Sequence, residues 1–281
     1  MKILVTGSTG FIGRYLVAML ESAGYEVFHL VRNKKGFEHE LQWDFKGHLP
    51  ASIPECNIII HLAAYVDFGL NFNIEQYHVN TVSTYRLAAY AKMHNAYFIF
   101  ASMAGAHGRK YPHIDKDTPI LPENHYAVSK YLAEEAIKIF TDNYSILRIC
   151  GIYGIDGPHH LGLNKAINDA VCRKNQPVLT GQGRARRNYI CVLDVARWIL
   201  ALIQNYEKDI ISKKDRIQEI LYLSGPEIMT IEEYLQTIAD TVLPGSELVR
   251  VGGSEAGDLI VKASTPPFNL MTFREYLNSL L

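Results

Sequence analysis

The chain contains no C-x-x-C pair: its four cysteines, Cys56, Cys150, Cys172 and Cys191, stand as singletons among 281 residues. That spacing excludes a disulfide framework and a zinc site, and it fits reduced, mostly buried thiols in a cytoplasmic protein. Charge of one sign is also missing. Lys and Arg number 28 against 29 Asp and Glu, for a net charge of −1, so nothing global points to nucleic acid or to an anionic membrane. Long hydrophobic runs are absent: only Ile3-Leu4-Val5 precedes the first glycine, too short for a signal peptide, and no stretch spans a bilayer. Internal repeats and low-complexity segments are lacking too. What remains is an ordinary globular composition, 48% apolar and 20% charged, long enough for a large core and a smaller appended region.

The organising stretch is Met1–Gly13, MKILVTGSTGFIG. A short apolar run ends in Thr6, three glycines follow at Gly7, Gly10 and Gly13, and an amphipathic pattern begins at once with Phe11, Ile12, Tyr15, Leu16, Met19 and Leu20. The reading is strand, tight turn, helix. Glycines let the backbone turn sharply and approach a ligand closely. Unpaired amides at the start of the next helix, with the helix dipole behind them, suit a pyrophosphate. The position after a first strand makes this a dinucleotide-binding turn.

Further along, Glu26–Val31 is a second strand, followed by Arg32, Lys34 and Lys35. At that place an acid binds the ribose 2′-hydroxyl of NAD, whereas an Arg accommodates the 2′-phosphate of NADP. Arg32 therefore favours NADP over NAD. A short strand near Glu40–Trp43 ends at Asp44, a candidate contact for the adenine amino group. Asn57–Leu62 is nearly all apolar, as a strand buried on both faces should be, and ends in Ala63-Ala64, small enough for the backbone to lie against a cofactor. The spacing predicts a long helix over 73–94, a strand over 96–101 ending at Ser102, a loop over 103–124, a helix over 126–140 and a strand over 145–150. Beyond Gly154 come a loop at 155–163, a helix at 164–173, short strands near 177–180 and 221–223, a helix N-capped by Asp194, and a capping box at Thr230–Glu233. Strands alternating with helices argue an α/β fold, a doubly wound parallel sheet. Gly7, Arg32, Asp44, Ala63 and Ser102 all fall at the carboxyl ends of its strands, where ligands bind.

Tyr126 and Lys130 are spaced i, i+4 and stack on one helix face. A phenol titrates near 10, and a neighbouring ammonium is expected to lower that value. The pair suits proton transfer in an alcohol–ketone interconversion.

With these motifs in place, the chain resembles the extended short-chain dehydrogenase/reductase superfamily, and within it the NAD-dependent epimerase/dehydratase family of sugar-nucleotide enzymes. The carrying residues are T-G-x-x-G-x-x-G at Thr6–Gly13, His61-Leu-Ala-Ala64, Asn80–Thr84, Tyr126-x-x-x-Lys130, Leu147-Arg148 with Tyr153-Gly154, Arg187–Asp194, and Tyr222–Gly225 before Thr230. They run in order over nearly the whole length. The resemblance implies a Rossmann fold, with the cofactor domain at 1–154 and 187–224 and a smaller C-terminal substrate-binding region at 155–186 and 225–281. It implies that Gly7, Gly10, Phe11, Ile12 and Gly13 hold the pyrophosphate, that Lys130 also binds the nicotinamide ribose, and that Asn80 supports the active-site helix. It implies that Arg187, near Arg184 and Arg186, faces the diphosphate of a nucleotide sugar. For that cluster a solvated basic loop is the competing reading. Pairing of the helices near 73–94 and 126–141 across a two-fold axis, giving a homodimer, is a further implication.

The chain departs from the family at three places. Met103 occupies the usual Ser or Thr position, and a thioether cannot donate a useful hydrogen bond, so Ser102 is the candidate catalytic hydroxyl. Ala104-Gly105 replace the Asp-Glu of 4,6-dehydratases, which argues against that reaction. The region after Gly154 is short, which admits a smaller substrate. The expectation is an NAD(P)-dependent oxidoreductase with Tyr126, Lys130 and Ser102 as catalytic residues and no metal. Epimerase and ketoreductase both fit. A reductase of a small non-nucleotide carbonyl compound and a non-catalytic NADP-binding protein stand as alternatives.

Overall fold

The computed structural model describes residues 1–212 and 216–281. Apolar runs become strands where the pattern places them: β1 (Lys2–Thr6), β2 (Glu26–Val31), β3 (Glu40–Gln42), β4 (Ile58–His61) and β5 (Tyr97–Met103). With Tyr144–Ile149 and Gln218–Leu223 they make a seven-stranded sheet, ordered 218–223, 144–149, β5, β4, β1, β2, β3. β1 pairs in parallel with β2 and β4, β2 with β3, and β4 with β5. Chain order reverses beside β1, so a crevice opens outside the carboxyl ends of β1 and β4. Helices on both faces explain why Ile3, Leu4 and Ile58–Ile60 are wholly buried. This is the doubly wound α/β fold.

The helices that cover the sheet carry their own start signals. α1 (Phe11–Ser22) begins at Gly10 with no side-chain cap. Asn124 caps α4 (His125–Phe140), accepting from the Ala127 amide at 2.8 Å. The stretch read as one helix over 73–94 is three pieces: α2 (Ile74–Tyr77), capped by Asn73, a π-turn at His78–Val82, and α3 (Ser83–Met93). A π-turn adds one residue to a helical turn, and apolar spacing does not register so small an insertion.

The chain divides into two compact units. The first comprises residues 1–108, 120–148 and 196–221. Its core includes Leu4, Leu30, Ile59, Phe98, Phe100 and Ile137. The second comprises 109–119, 149–195 and 222–281, with α5 (Gly162–Arg173), the first residues of α6 (Val192–Ser212), α7 (Ile231–Val242) and α8 (Phe273–Asn278). Tyr153 and Tyr234 both set their rings edge-on to Phe273 with centroids 5.0 Å apart, at the centre of its core. The capping box at Thr230–Glu233 is present, and Thr272–Glu275 forms a second.

Two sequence expectations change here. Asp194 lies inside the first turn of α6 and accepts from the Met271 amide at 2.7 Å instead of capping the helix. Residues 109–119, 149–154, 187–195 and 222–224, which the resemblance grouped with the first region, pack with the second. Their two-residue strands, His113–Ile114 against Ile260–Val261 and Arg186–Arg187 against Met229–Thr230, are too short to show any periodicity. Among the described residues, no helix is long and apolar enough to cross a membrane.

Candidate active site

The glycine turn forms because Gly7 and Gly13 leave no room for a side chain and Gly10 leaves little. Gly7 has φ +70°, and a Cβ there would lie 2.7 Å from the Ala63 amide nitrogen. A Cβ on Gly13 would lie 2.1 Å from the Gly7 carbonyl oxygen. The Gly10 amide closes the turn onto that same oxygen at 2.9 Å. No side chain caps the helix that Phe11, Ile12 and Gly13 open. Ser8 is buried in the turn with an unpartnered hydroxyl. An uncapped helix start, a backbone cradle and an orphaned hydroxyl fit a pyrophosphate, so the residues present suit a dinucleotide.

On the adenosine side, Arg32 directly follows β2 and is exposed, its carbonyl accepting from Gln42 and its charge felt at the Glu75 carboxylate. Asp44 follows β3, and one carboxylate oxygen accepts from the Lys46 and Gly47 amides at 2.9 and 2.8 Å. These bonds hold its carboxyl below the usual range. Asp44 therefore shapes its own turn with one oxygen, Oδ1.

At the end of β4, His61 is completely buried between two threonines. Its Nδ1 lies 2.6 Å from Thr6 Oγ1 and its Nε2 2.9 Å from Thr84 Oγ1. Thr6 Oγ1 also accepts from the Ala63 amide, and Thr84 donates to the Asn80 carbonyl. Burial and the Lys130 charge hold His61 well below its ordinary value, so it is neutral. The motif was visible in the sequence; this link from the glycine turn to α3 was not.

Tyr126 and Lys130 occupy successive turns at the start of α4, as their spacing requires. Two residues of the π-turn hold that helix. Asn80 donates to Ser129 Oγ at 2.9 Å and to the Tyr65 carbonyl at 2.9 Å, and accepts from the Tyr65 amide at 2.7 Å. Thr81 donates to the Ser129 carbonyl at 2.8 Å. Lys130 is 2% exposed, and its ammonium lies 3.9 Å from the centroid of the Phe100 ring. Burial pulls the ammonium down to about 7, with the Glu134 carboxylate opposing. The same burial pushes the Tyr126 phenol up to about 12. The expected lowering by Lys130 is not seen, because desolvation of the phenol outweighs any help from an ammonium that is itself close to losing its proton. The Phe68 ring, 5.2 Å away and edge-on, lies against Tyr126.

Ser102 is not placed as a substrate donor. It lies within β5, buried, and its hydroxyl donates to the Glu134 carboxylate. Glu134 is also ion-paired to Arg148, Oε2 to Nη2 at 2.7 Å. The hydroxyl proton is thus already committed. Glu134 was missed, although it continues the i, i+4 stripe of Tyr126 and Lys130 by one more turn. At Met103 the side chain folds toward Gly105, where a Cβ would meet its methyl at 2.4 Å.

Arg187 belongs to the second unit. Its guanidinium donates to the Arg186 and Gly257 carbonyls, both at 2.7 Å. Arg186 is paired with Asp258, its Nη2 and Nε both donating to Oδ2 at 2.7 and 2.9 Å, and Arg184 is exposed. The charge of Arg187 is also felt at Asp258 and at Tyr189, and that of Arg184 at Glu255, so the three arginines lie among acidic partners of their own unit.

Comparison with known proteins bears on this constellation. The family model described as "NAD dependent epimerase/dehydratase family" matches residues 3–214. A putative UDP-glucose 4-epimerase of Methanocaldococcus jannaschii is 27% identical over 80% of this chain and 82% of its own length. GDP-6-deoxy-D-talose 4-dehydrogenase of Aggregatibacter actinomycetemcomitans is 30% identical over 73% of this chain and 72% of its own. The crystal structure of UDP-glucuronic acid 4-epimerase from Bacillus cereus, solved with NAD, superposes with TM-score 0.79 at 19% identity, covering 99% of this chain and 97% of that one.

Proposed function

The chain belongs to the NAD dependent epimerase/dehydratase family, and from that premise we propose that it reduces a ketone on a nucleotide sugar, with Tyr126 as the proton donor. One observation carries this reading. Tyr126, partly buried, and Lys130, buried, sit one turn apart at the start of α4, which the π-turn fastens near the crevice lined by the glycine turn. A phenol titrating near 12 is protonated throughout the neutral range and is poised to give its proton to a carbonyl oxygen. The bound nicotinamide supplies the hydride. Gly7, Gly10, Phe11, Ile12 and Gly13 hold its pyrophosphate, Ala63 lets the backbone approach, and Lys130 binds the nicotinamide ribose. We assign Asp44 to the adenine and Arg32 to a 2′-phosphate, which makes NADPH the working cofactor ahead of NAD. Arg187 is the candidate for the substrate diphosphate, through a fork that matches phosphate oxygens.

Epimerisation is the related reading, since it needs the same Tyr126 to act as base and acid in turn. Elimination of water is disfavoured, because Ala104 and Gly105 offer no acid beside the turn. A smaller, apolar ketone is favoured by a different observation. The segment after β4 exposes Val66, Phe68, Leu70 and Phe72, and Phe68 touches the Tyr126 ring. We assign the exposed apolar side chains of α3 and α4, Tyr85, Met93, Leu132 and Ile139, to pairing with a second copy of the chain.

The test offers the purified protein three partners: NADPH with a 4-keto nucleotide sugar, NADPH with a panel of aromatic and aliphatic ketones, and NAD with UDP-glucose. NADPH consumed with the keto sugar, and a fall of about 10²–10⁴-fold in Tyr126→Phe, is the expected result. Interconversion of UDP-hexoses in the NAD arm, without net formation of NADH, establishes the epimerase instead. Tyr126→Phe turning over as fast as wild type overturns the acid–base role.

A further inference from the structure

Beneath Lys130 lies a closed polar group that the reaction itself does not use. Glu134 is fully buried one turn beyond Lys130 on α4. At that spacing a carboxylate is the natural counter-ion of the ammonium. Here both of its oxygens are drawn elsewhere. Arg148 approaches with Nη2 at 2.7 Å from Oε2, and with Nε at 3.2 Å from each oxygen. Ser102 donates to Oε1. Arg148 Nη1 lies 3.3 Å from Nε2 of the fully buried His107. The four side chains come from β5, the turn after it, α4 and the strand Tyr144–Ile149, so the fold assembles the group from parts distant in sequence. The Lys130 ammonium instead rests on the Phe100 face. The other groups facing it are His61 from β4, kept neutral by burial, and Tyr126 on its own helix.

We propose that Arg148 and Ser102 act as positioning residues: they hold the Glu134 carboxylate neutralised and turned away, so that Lys130 is left without a full counter-ion and its charge is set by this buried group. Ser102 thereby acts through Glu134, two side chains removed from the phenol, and not as a hydroxyl for the substrate. A neutralised Glu134 favours the charged ammonium less than a free carboxylate at the same distance, because the guanidinium field opposes it. This fits a lysine depressed to about 7 despite a carboxylate one turn away. The consequence for proton transfer through Tyr126 rests on the acid–base reading given above; the charge of Lys130 does not.

The charge is read directly on the full chain, free of cofactor, without any turnover. Lysines carrying ¹³C at Cε are followed by NMR against pH, and the Lys130 signal is identified by its loss in Lys130→Arg. In Arg148→Met the Lys130 midpoint is expected to rise by about one pH unit, because Glu134 regains its full field. In Glu134→Gln it is expected to fall by about one unit, because an unopposed guanidinium replaces a neutral pair. Ser102→Ala, the mildest change, is expected to raise it by a few tenths of a unit, and Ser102→Thr to restore it. A role confined to packing predicts no such opposite displacement. Midpoints that stay put, or that move the same way in both charge variants while circular dichroism shows each folded, overturn the proposal. Where either charge variant does not fold, the Ser102 pair decides alone: an unmoved midpoint in Ser102→Ala is fatal. If the midpoints shift as expected while no ketone is reduced, the functional reading fails and this one stands.

Discussion

A lysine that titrates near 7 inside a folded chain titrates near 10.4 when the chain unfolds. Between those values the unfolded chain holds a proton that the folded one has released, so this residue makes stability rise with pH across that window. Below about pH 7 both states are charged and the cost of burying the ammonium is felt in full. Lys130→Met is therefore expected to stabilise the protein against urea more at pH 6.5 than at pH 9, with wild type gaining on the variant as pH rises. An equal gain at both pH values would place the ammonium in water. That Tyr126 and Lys130 share a helix face and that the three glycines make the turn before α1 was legible from spacing and context, because each obeys a local rule. The direction of the Tyr126 shift was not, since it depends on desolvation by Phe68 and its neighbours, and those neighbours are brought in by folding. Ser102 misled for a related reason. Its place at a strand end could be read, but not the buried carboxylate waiting for its proton.

At the scale of elements, the π-turn at His78–Val82 decides where α4 sits. Asn80 satisfies the Tyr65 amide and carbonyl and the Ser129 hydroxyl at once. Removing it strands the Tyr65 amide and takes a partner from the Tyr65 carbonyl and the Ser129 hydroxyl, which keep only Gln76 Nε2 at 3.4 Å and the Tyr126 carbonyl at 2.8 Å. Asn80→Ala is expected to cost about 2–4 kcal/mol in chemical denaturation, against about 1 kcal/mol for Thr81→Val, which loses one hydrogen bond. Matching losses in the two variants would show that the helix is held by packing instead. Element positions were readable wherever a run was long: β1, β2, β4, β5, α1 and α4 lie within a residue or two of the sequence pattern. The π-turn and the two-residue strands were not, because one inserted residue or two paired residues leave no period to detect.

For the whole molecule, sheet order and the family's description agree on nicotinamide binding, and the open question is the phosphate on the ribose. If Arg32 and the lysines beside it meet a 2′-phosphate, NADPH raises the melting temperature more than NADH does, since a ligand stabilises in proportion to the logarithm of its concentration over Kd. Arg32→Asp is expected to reverse that order. An unchanged order in a thermal-shift titration would make the basic loop a solvated one. The doubly wound plan was legible because alternating strands and helices admit few arrangements. The grouping of 109–119 and 187–195 with the second unit was not, for it rests on pairings between segments far apart in the chain, as between Arg187 and Met229 or Ile114 and Val261. Such pairings come from topology and leave no local trace.

The hydrogen bonds around His61 have a polarity. The only proton of Thr84 goes to the Asn80 carbonyl, so its oxygen must receive Nε2–H from the imidazole. A neutral ring then has only Nδ1 to offer Thr6, whose hydroxyl must donate there while accepting from the Ala63 amide. Every donor thus points from β4 and the glycine turn toward the π-turn, and one tautomer of His61 is dictated by a carbonyl two links away. With a backbone amide that can only donate at one end and a carbonyl that can only accept at the other, the row cannot run the other way. The backbone that cradles the cofactor and the turn that anchors Tyr126 accordingly share one discrete state of proton order, which an imidazole nitrogen spectrum reads from inside the protein.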